Sequence, residues 1–285
     1  MPQSKTRPLP AFEAGRLVRP DGAVIHYEVA GEGPAIVFAH GLGGNHLSWW
    51  QSAPVFAERH RVVTFAHRGF APSTAPGGRP DPTLYAGDLL ALMDHLGIER
   101  TVIAGQSMGG WTAVETVLAA PDRVAGIVMA CTSGSFDYDR FDDPKVKAWR
   151  ASAPQQIARL AERGIHRAAG ARMADEQPDI HALYQAVDRL TFGLDKNEVG
   201  NRIRAMRVRG AEDAARITCP ALFVIGEEDL LICPRGIELV AGSLPKARCV
   251  VVPVSGHSVY FERPALFNAT VQGFLAEIGW ETADG

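Results

Sequence analysis

The chain opens on alternation. In RLVRPDGAVIHYEV (16–29) apolar positions recur two apart on either side of Pro20-Asp21-Gly22, the pattern of two short strands joined by a turn. Beyond Gly31-Glu32-Gly33-Pro34 the alternation gives way to unbroken apolar runs: AIVFAH (35–40), RVVTFA (61–66), TVIAG (101–105), VAGIVMAC (124–131), PALFVIG (220–226) and RCVVVPV (248–254). Strands that are apolar on both sides need cover on both faces, as in a parallel sheet flanked by helices. Helical periodicity fills the intervals. Residues 84–96 set Tyr85, Leu89, Leu92, Met93 and Leu96 on one stripe between Asp81-Pro82 and Gly97. Residues 264–278 do the same with Phe267, Val271, Phe274, Leu275 and Ile278 between Pro264 and Gly279. The expected fold class is therefore α/β, a doubly wound, mostly parallel sheet whose ligands bind at the carboxyl ends of the strands.

The pattern breaks between residues 134 and 214, where polar, Ala- and Arg-rich helical sequence carries no strand-like run. Because the strands resume at Pro220, this stretch is expected to be a helical cap inserted into a core formed by residues 1–133 and 215–285.

Composition narrows the functions. A formal net charge of −3 argues against a nucleic-acid partner, and even the Arg-rich stretch 134–214 carries 14 basic against 13 acidic side chains. The four cysteines form no CxxC pair and no Cys/His set with zinc spacing, so they are expected to be reduced, small core residues. MPQSKTRPLPAFEAGRLVRP contains no apolar stretch of signal-peptide length, and no later run is long enough to span a membrane. The expectation is a cytoplasmic protein with a small-molecule substrate, no nucleic-acid or membrane partner and no cofactor; a homo-oligomer is left open.

Gly105-Gln106-Ser107-Met108-Gly109 fits G-x-S-x-G. It follows a strand-like run and precedes a helical pattern (Met108, Trp111, Val114, Leu118), the strand-turn-helix setting of a nucleophile elbow. A serine hydroxyl attacks only when a base takes its proton, so a histidine and an orienting acid are required. His257, after the last strand, and Asp229, at the tip of Gly226-Glu227-Glu228-Asp229, meet that requirement. Asp137, beyond the run at 124–131, is the rival acid, and Glu227 and Glu228 are expected to be solvated. His40-Gly41-Leu42-Gly43-Gly44 can turn the Leu42 amide toward a substrate oxygen beside the Met108 amide, forming an oxyanion hole, with His40 bracing the loop. Trp49, Trp111, Trp149 and Val259 are pocket candidates, with core packing the default reading for Trp49. His-x-x-x-His and His-Glu-x-x-His are absent, so no metal site is expected.

HGLGG (40–44), GQSMGG (105–110), GEEDLL (226–231) and SGHSVYFERPALFN (255–268) together resemble the α/β-hydrolase superfamily, in particular its cap-bearing serine branch, from about residue 15 to 280. The resemblance implies a lid over the pocket at 134–214 and a choice among carboxylesterases, lactonases, cofactor-free haloperoxidases and carbon-carbon bond hydrolases. Two departures stand out. AHRGFAPS (66–73) has Ala66 and Ala71 where the family pattern D-x-R-G-x-G-x-S has Asp and Gly, which puts that loop's bracing in question. Ser258 follows His257 where carbon-carbon hydrolases usually carry Trp. The expected activity is thus hydrolysis of a small, largely apolar ester or lactone through an acyl-enzyme. A carbon-carbon hydrolase of a diketone or dienoic product, and a non-catalytic ligand-binding homologue, are the alternatives. Arg202, Arg204, Arg207 and Arg209 are either a solvated helix face, the default, or a guide for a carboxylate-bearing substrate.

Overall fold

The computed structural model describes residues 10–281. Residues 1–9, part of the stretch read for a signal peptide, lie outside them. Eight strands form one sheet: β1 (Glu13–Val18), β2 (Val24–Ala30), β3 (Ala35–Ala39), β4 (Arg61–Phe65), β5 (Thr101–Gln106), β6 (Val124–Ala130), β7 (Ala221–Gly226) and β8 (Ala247–Val252). Their spatial order is β1-β2-β4-β3-β5-β6-β7-β8. The opening hairpin pairs antiparallel, β2 is antiparallel to β4, and every later pairing is parallel.

The unbroken apolar runs are explained by two covered faces. Val37, Val63, Ile103, Ile127 and Phe223 point to one side, where they pack with Leu89, Leu92, Val114 and Ile237 from helices. Their neighbours Ile36, Val62, Val102, Val128 and Leu222 point to the other, where Phe267, Val271 and Phe274 of helix Pro264–Glu277 cover them. β8 departs from the expectation. As the last strand it has a neighbour on one edge only and is partly open, so Cys249 is exposed while Cys131 and Cys233 are buried. All four cysteines are free thiols.

Between β6 and β7 the chain forms helices Pro144–Glu162, Met173–Glu176, Pro178–Arg189, Lys196–Ala205 and Ala211–Arg216. The two ends of the stretch meet before the chain runs on to the start of β7. Phe136 and Arg209 form a parallel bridge, Asp137 N–H donates to the Arg209 carbonyl at 3.1 Å, and the Arg209 guanidinium reaches Glu115 on helix Met108–Ala119 at 2.8 Å. Among the described residues no helix is long and apolar enough to cross a membrane.

Candidate active site

Ser107 stands where β5 turns into helix Met108–Ala119. Its φ of 51° and ψ of −110° lie in a region that L-residues rarely adopt, strain that only an over-determined turn can hold. The flanking glycines show what holds it. A Cβ on Gly105 would meet the Gly109 carbonyl oxygen at 2.4 Å, and one on Gly109 would meet the Ala39 carbonyl oxygen at 2.0 Å, so strand and helix approach closely only without side chains there. Ser107 N–H donates to the Ala130 carbonyl at 3.1 Å, and the Thr132 hydroxyl donates to the Ser107 carbonyl at 2.8 Å, pinning the residue from both sides.

His257 follows β8 and Asp229 follows β7. His257 Nδ1–H donates to Asp229 Oδ2 at 2.8 Å, while Asp229 Oδ1 accepts the Leu231 and Ile232 amides at 2.8 and 3.0 Å. With Nδ1 carrying the proton, Nε2 is left as the ring nitrogen able to accept one. Trp149 Nε1–H donates to the Asp229 carbonyl at 3.0 Å, tying helix Pro144–Glu162 to the acid's loop. Asp137 is elsewhere: it caps the turn at Asp139 and pairs with Arg140.

Ser107, His257, Leu42 and Met108 line one cavity of about 260 Å³. Neither the Leu42 nor the Met108 amide donates to a protein acceptor among the described residues. Met108 is the first residue of its helix, where such orphan amides are expected. His40 braces this loop: its Nδ1–H donates to the Gly41 carbonyl at 2.7 Å and its Nε2 accepts the His67 amide at 2.9 Å. Complete burial pushes the His40 pKa down to about 3, so the ring is neutral and suited to one donor and one acceptor.

None of the four pocket candidates is among the residues lining the Ser107 cavity. Trp49 is fully buried against Phe38 and Tyr260, with ring centroids 4.9 and 4.4 Å away. Val259 is likewise buried, and Trp111 packs in the cluster of Tyr85 and Phe70. Trp49 and Val259 belong to the core on one side of the sheet, while Trp111 packs under Val199 and Ile203 of helix Lys196–Ala205. Trp149 lines a neighbouring cavity of about 410 Å³ that shares Arg204, Arg207 and Leu231 with the first. The lining beside Ser107 is instead rich in polar and charged groups, at odds with the expected apolar pocket.

Sequence reasoning missed two supporting residues. Gln106 Nε2–H donates to the His257 carbonyl at 2.9 Å, and its Oε1 occupies the space a Cβ on Gly41 would need, so one side chain spans the loops of His257 and of Leu42. A polar residue closing a buried strand was the available signal. Glu262, 2% exposed, accepts the Gly256 amide on Oε1 and the Gly170 amide on Oε2, both at 3.0 Å, joining the residue before His257 to the segment after Ala168. Glu228, expected to be solvated, accepts the Ala171 amide at 3.2 Å in the same segment.

Burial raises the Glu262 pKa from 4.5 to about 7, against the opposing pull of the Gly170 and Gly256 amides. The native state therefore binds the proton more tightly. The stability this group contributes is fully present below about pH 4.5 and falls as pH rises to about 7, by up to about 3 kcal/mol. In denaturant unfolding, the stability of the parent relative to Glu262→Gln is expected to fall by about 2 kcal/mol between pH 5 and 7.5. A difference that does not change with pH would contradict the assignment.

The loop 66–73, which lacks the family Asp and Gly, is braced by other groups. Arg68 pairs with buried Asp88 at 2.5 Å and with Asp21 at 2.6 Å, and the Ser73 hydroxyl donates to the Ala66 carbonyl at 2.7 Å. One trio has the makings of a cation site. His26, Glu28 and His46 place ligand atoms within 4.8 Å of one another, outside the Ser107 cavity, and burial pushes His46 down to about 4. Strand spacing explains it: His26 and Glu28 share one face of β2.

Comparison with known proteins agrees with this architecture. A family model described as alpha/beta hydrolase fold matches residues 34–264. A protein of Azorhizobium caulinodans provisionally named carbamate hydrolase RutD is 26% identical over 264 residues, 90% of this chain and 96% of its own. Among solved structures, Est816, described as an N-acyl homoserine lactone degrading enzyme, is 29% identical with a TM-score of 0.73, covering 91% of this chain and 100% of its own. The enol-lactonase of Burkholderia xenovorans LB400 is 27% identical with a TM-score of 0.74, covering 92% and 100%.

Proposed function

Because the chain belongs to the alpha/beta hydrolase fold family, we propose that it is a serine hydrolase that cleaves a carboxylic ester or lactone through an acyl-enzyme. The observation that carries this reading is the His257–Asp229 hydrogen bond beside a cavity lined by the strained Ser107. The lactonase and enol-lactonase likenesses support the ester or lactone bond as the target.

In the proposed cycle, Ser107 Oγ attacks the substrate carbonyl as its proton passes to His257 Nε2. The Leu42 and Met108 amides receive the oxygen that becomes negative, each such donor being worth about 2.7–4 kcal/mol of barrier. His257 then returns the proton to the departing alkoxide oxygen as the ester C–O bond breaks. Water, deprotonated by the same nitrogen, splits the acyl-enzyme and restores the Ser107 hydroxyl. Asp229 fixes the tautomer and stabilises the imidazolium. The helices of residues 134–214 serve as the cap that closes over the reacting atoms.

The test is covalent. A fluorophosphonate is expected to label the native protein once, on Ser107 as located by peptide mass spectrometry, and to leave the urea-unfolded protein unlabelled. Labelling at another serine, or none, would remove the basis for the reading.

A further inference from the structure

The charges around the cavity are unevenly matched. Four cationic side chains line it, Arg167, Lys196, Arg204 and Arg207, against one carboxylate, Asp188, among the described residues. Asp188 is spent: its Oδ1 lies 2.9 Å from Lys196 Nζ, which also donates to the Asp188 carbonyl. No carboxylate pairs with Arg167, Arg204 or Arg207 among the described residues; Arg204 reaches only the Asn201 side-chain oxygen, at 2.8 Å.

Arg207 is the most demanding of the three. Its Nε is closed off from solvent with no hydrogen-bond partner, and burial pulls its pKa below the usual arginine range. Nearby acids offer no relief. Asp229 already gives Oδ2 to His257 and Oδ1 to two amides, and Asp139 is held by Arg150. Arg207 also lies where the two cavities meet. Arg207 is half-buried with no carboxylate hydrogen-bonded to it among the described residues, and a guanidinium is the group best shaped to take a carboxylate through two parallel N–H donors.

We propose that Arg207, with Arg204 and Arg167 beside it, receives a carboxylate on the substrate, so that the site acts on anionic esters or lactones and not on apolar ones. This rests on the reading of Ser107 as the nucleophile. The anion is held on the cap side, while the reacting carbonyl sits between Ser107 and the Leu42 and Met108 amides.

The experiment compares 4-nitrophenyl hemiesters of succinic, glutaric and adipic acid with the 4-nitrophenyl esters of butyric, pentanoic and hexanoic acid. The parent is expected to favour at least one hemiester over its neutral counterpart at least tenfold in kcat/KM. Arg207→Gln is expected to cut that ratio at least tenfold, chiefly through KM on the hemiester, and Arg207→Lys to restore part of it. Because any effect of Arg207 on His257 or Asp229 alters both substrates alike, the ratio isolates anion binding. A parent that prefers neutral esters throughout the series, or an unchanged ratio in Arg207→Gln, overturns the proposal; the first result needs no variant to fold. If no ester is turned over and Ser107 resists the phosphonate, the hydrolase reading fails separately. Calorimetric titration with glutarate and adipate then decides the subsite. Binding to the parent that weakens at least tenfold in Arg207→Gln supports it, and no binding, or equal binding, overturns it.

Discussion

Ser107→Ala is expected to abolish turnover of any ester the parent cleaves, with kcat reduced roughly a million-fold while unfolding stability changes by less than about 1 kcal/mol. The two halves of this expectation have separate causes. In the proposed cycle the hydroxyl oxygen is the atom that bonds to the acyl group, so without it no covalent intermediate would form. What would remain is the modest acceleration that the Leu42 and Met108 amides, as the proposed oxyanion donors, give to direct attack by water. Stability is spared because Ser107 is held by its backbone, through Ala130 and Thr132, and alanine keeps the Cβ already accommodated at φ 51°. Steady-state assay of a 4-nitrophenyl ester, paired with urea unfolding, reads both. Activity within tenfold of the parent would mean that another group is the nucleophile.

The second large effect concerns the acid. Asp229→Asn should lower kcat about 10⁴-fold, and the hydrogen bonds of this site say why. The Leu231 and Ile232 amides hold Oδ1, so the oxygen of the new carboxamide is kept on that side and its NH₂ is turned toward His257. Facing a donor, Nδ1 must become the acceptor, which places the ring proton on Nε2 and removes the base from Ser107. Asp137→Asn should change kcat less than about threefold, since Asp137 touches Arg140 and its own turn and not the imidazole. Measuring both variants on one ester separates them, and a larger loss in Asp137→Asn would transfer the role.

Much of the fold was legible because the β3, β5, β6 and β7 runs are apolar on both faces, and that pattern has few solutions other than a sheet covered on both sides. The Ser107 turn was legible for a local reason: glycines at 105 and 109 are demanded by contacts within a few residues and by the strand next door. Cys249 was misjudged because run composition does not reveal which strand ends up at an edge. Packing, the default reading for Trp49, is what the structure shows, whereas Trp111 and Val259 lie outside the Ser107 cavity because an apolar side chain near a motif looks the same whether it faces the core or the cavity.

Charge marks the boundary most clearly. Summed along residues 134–214 the side chains nearly cancel, at 14 basic against 13 acidic, and the sum says nothing of how they are arranged. In space they separate. Acids such as Asp139 and Asp188 are consumed by Arg150 and Lys196, while Arg207 lines the cavity with no carboxylate hydrogen-bonded to it among the described residues. The sequence by itself determined the sheet, the covered faces, the strained turn at Ser107 and the order of candidate acid and base, since each rests on local pattern. Only the tertiary structure decided that Asp229 holds His257, that Gln106 and Glu262 tie the loops together, and that the cavity is cationic. Those outcomes depend on which groups meet across 28, 92 or 151 residues of chain, and pairwise electrostatics and hydrogen bonding act on distance in space.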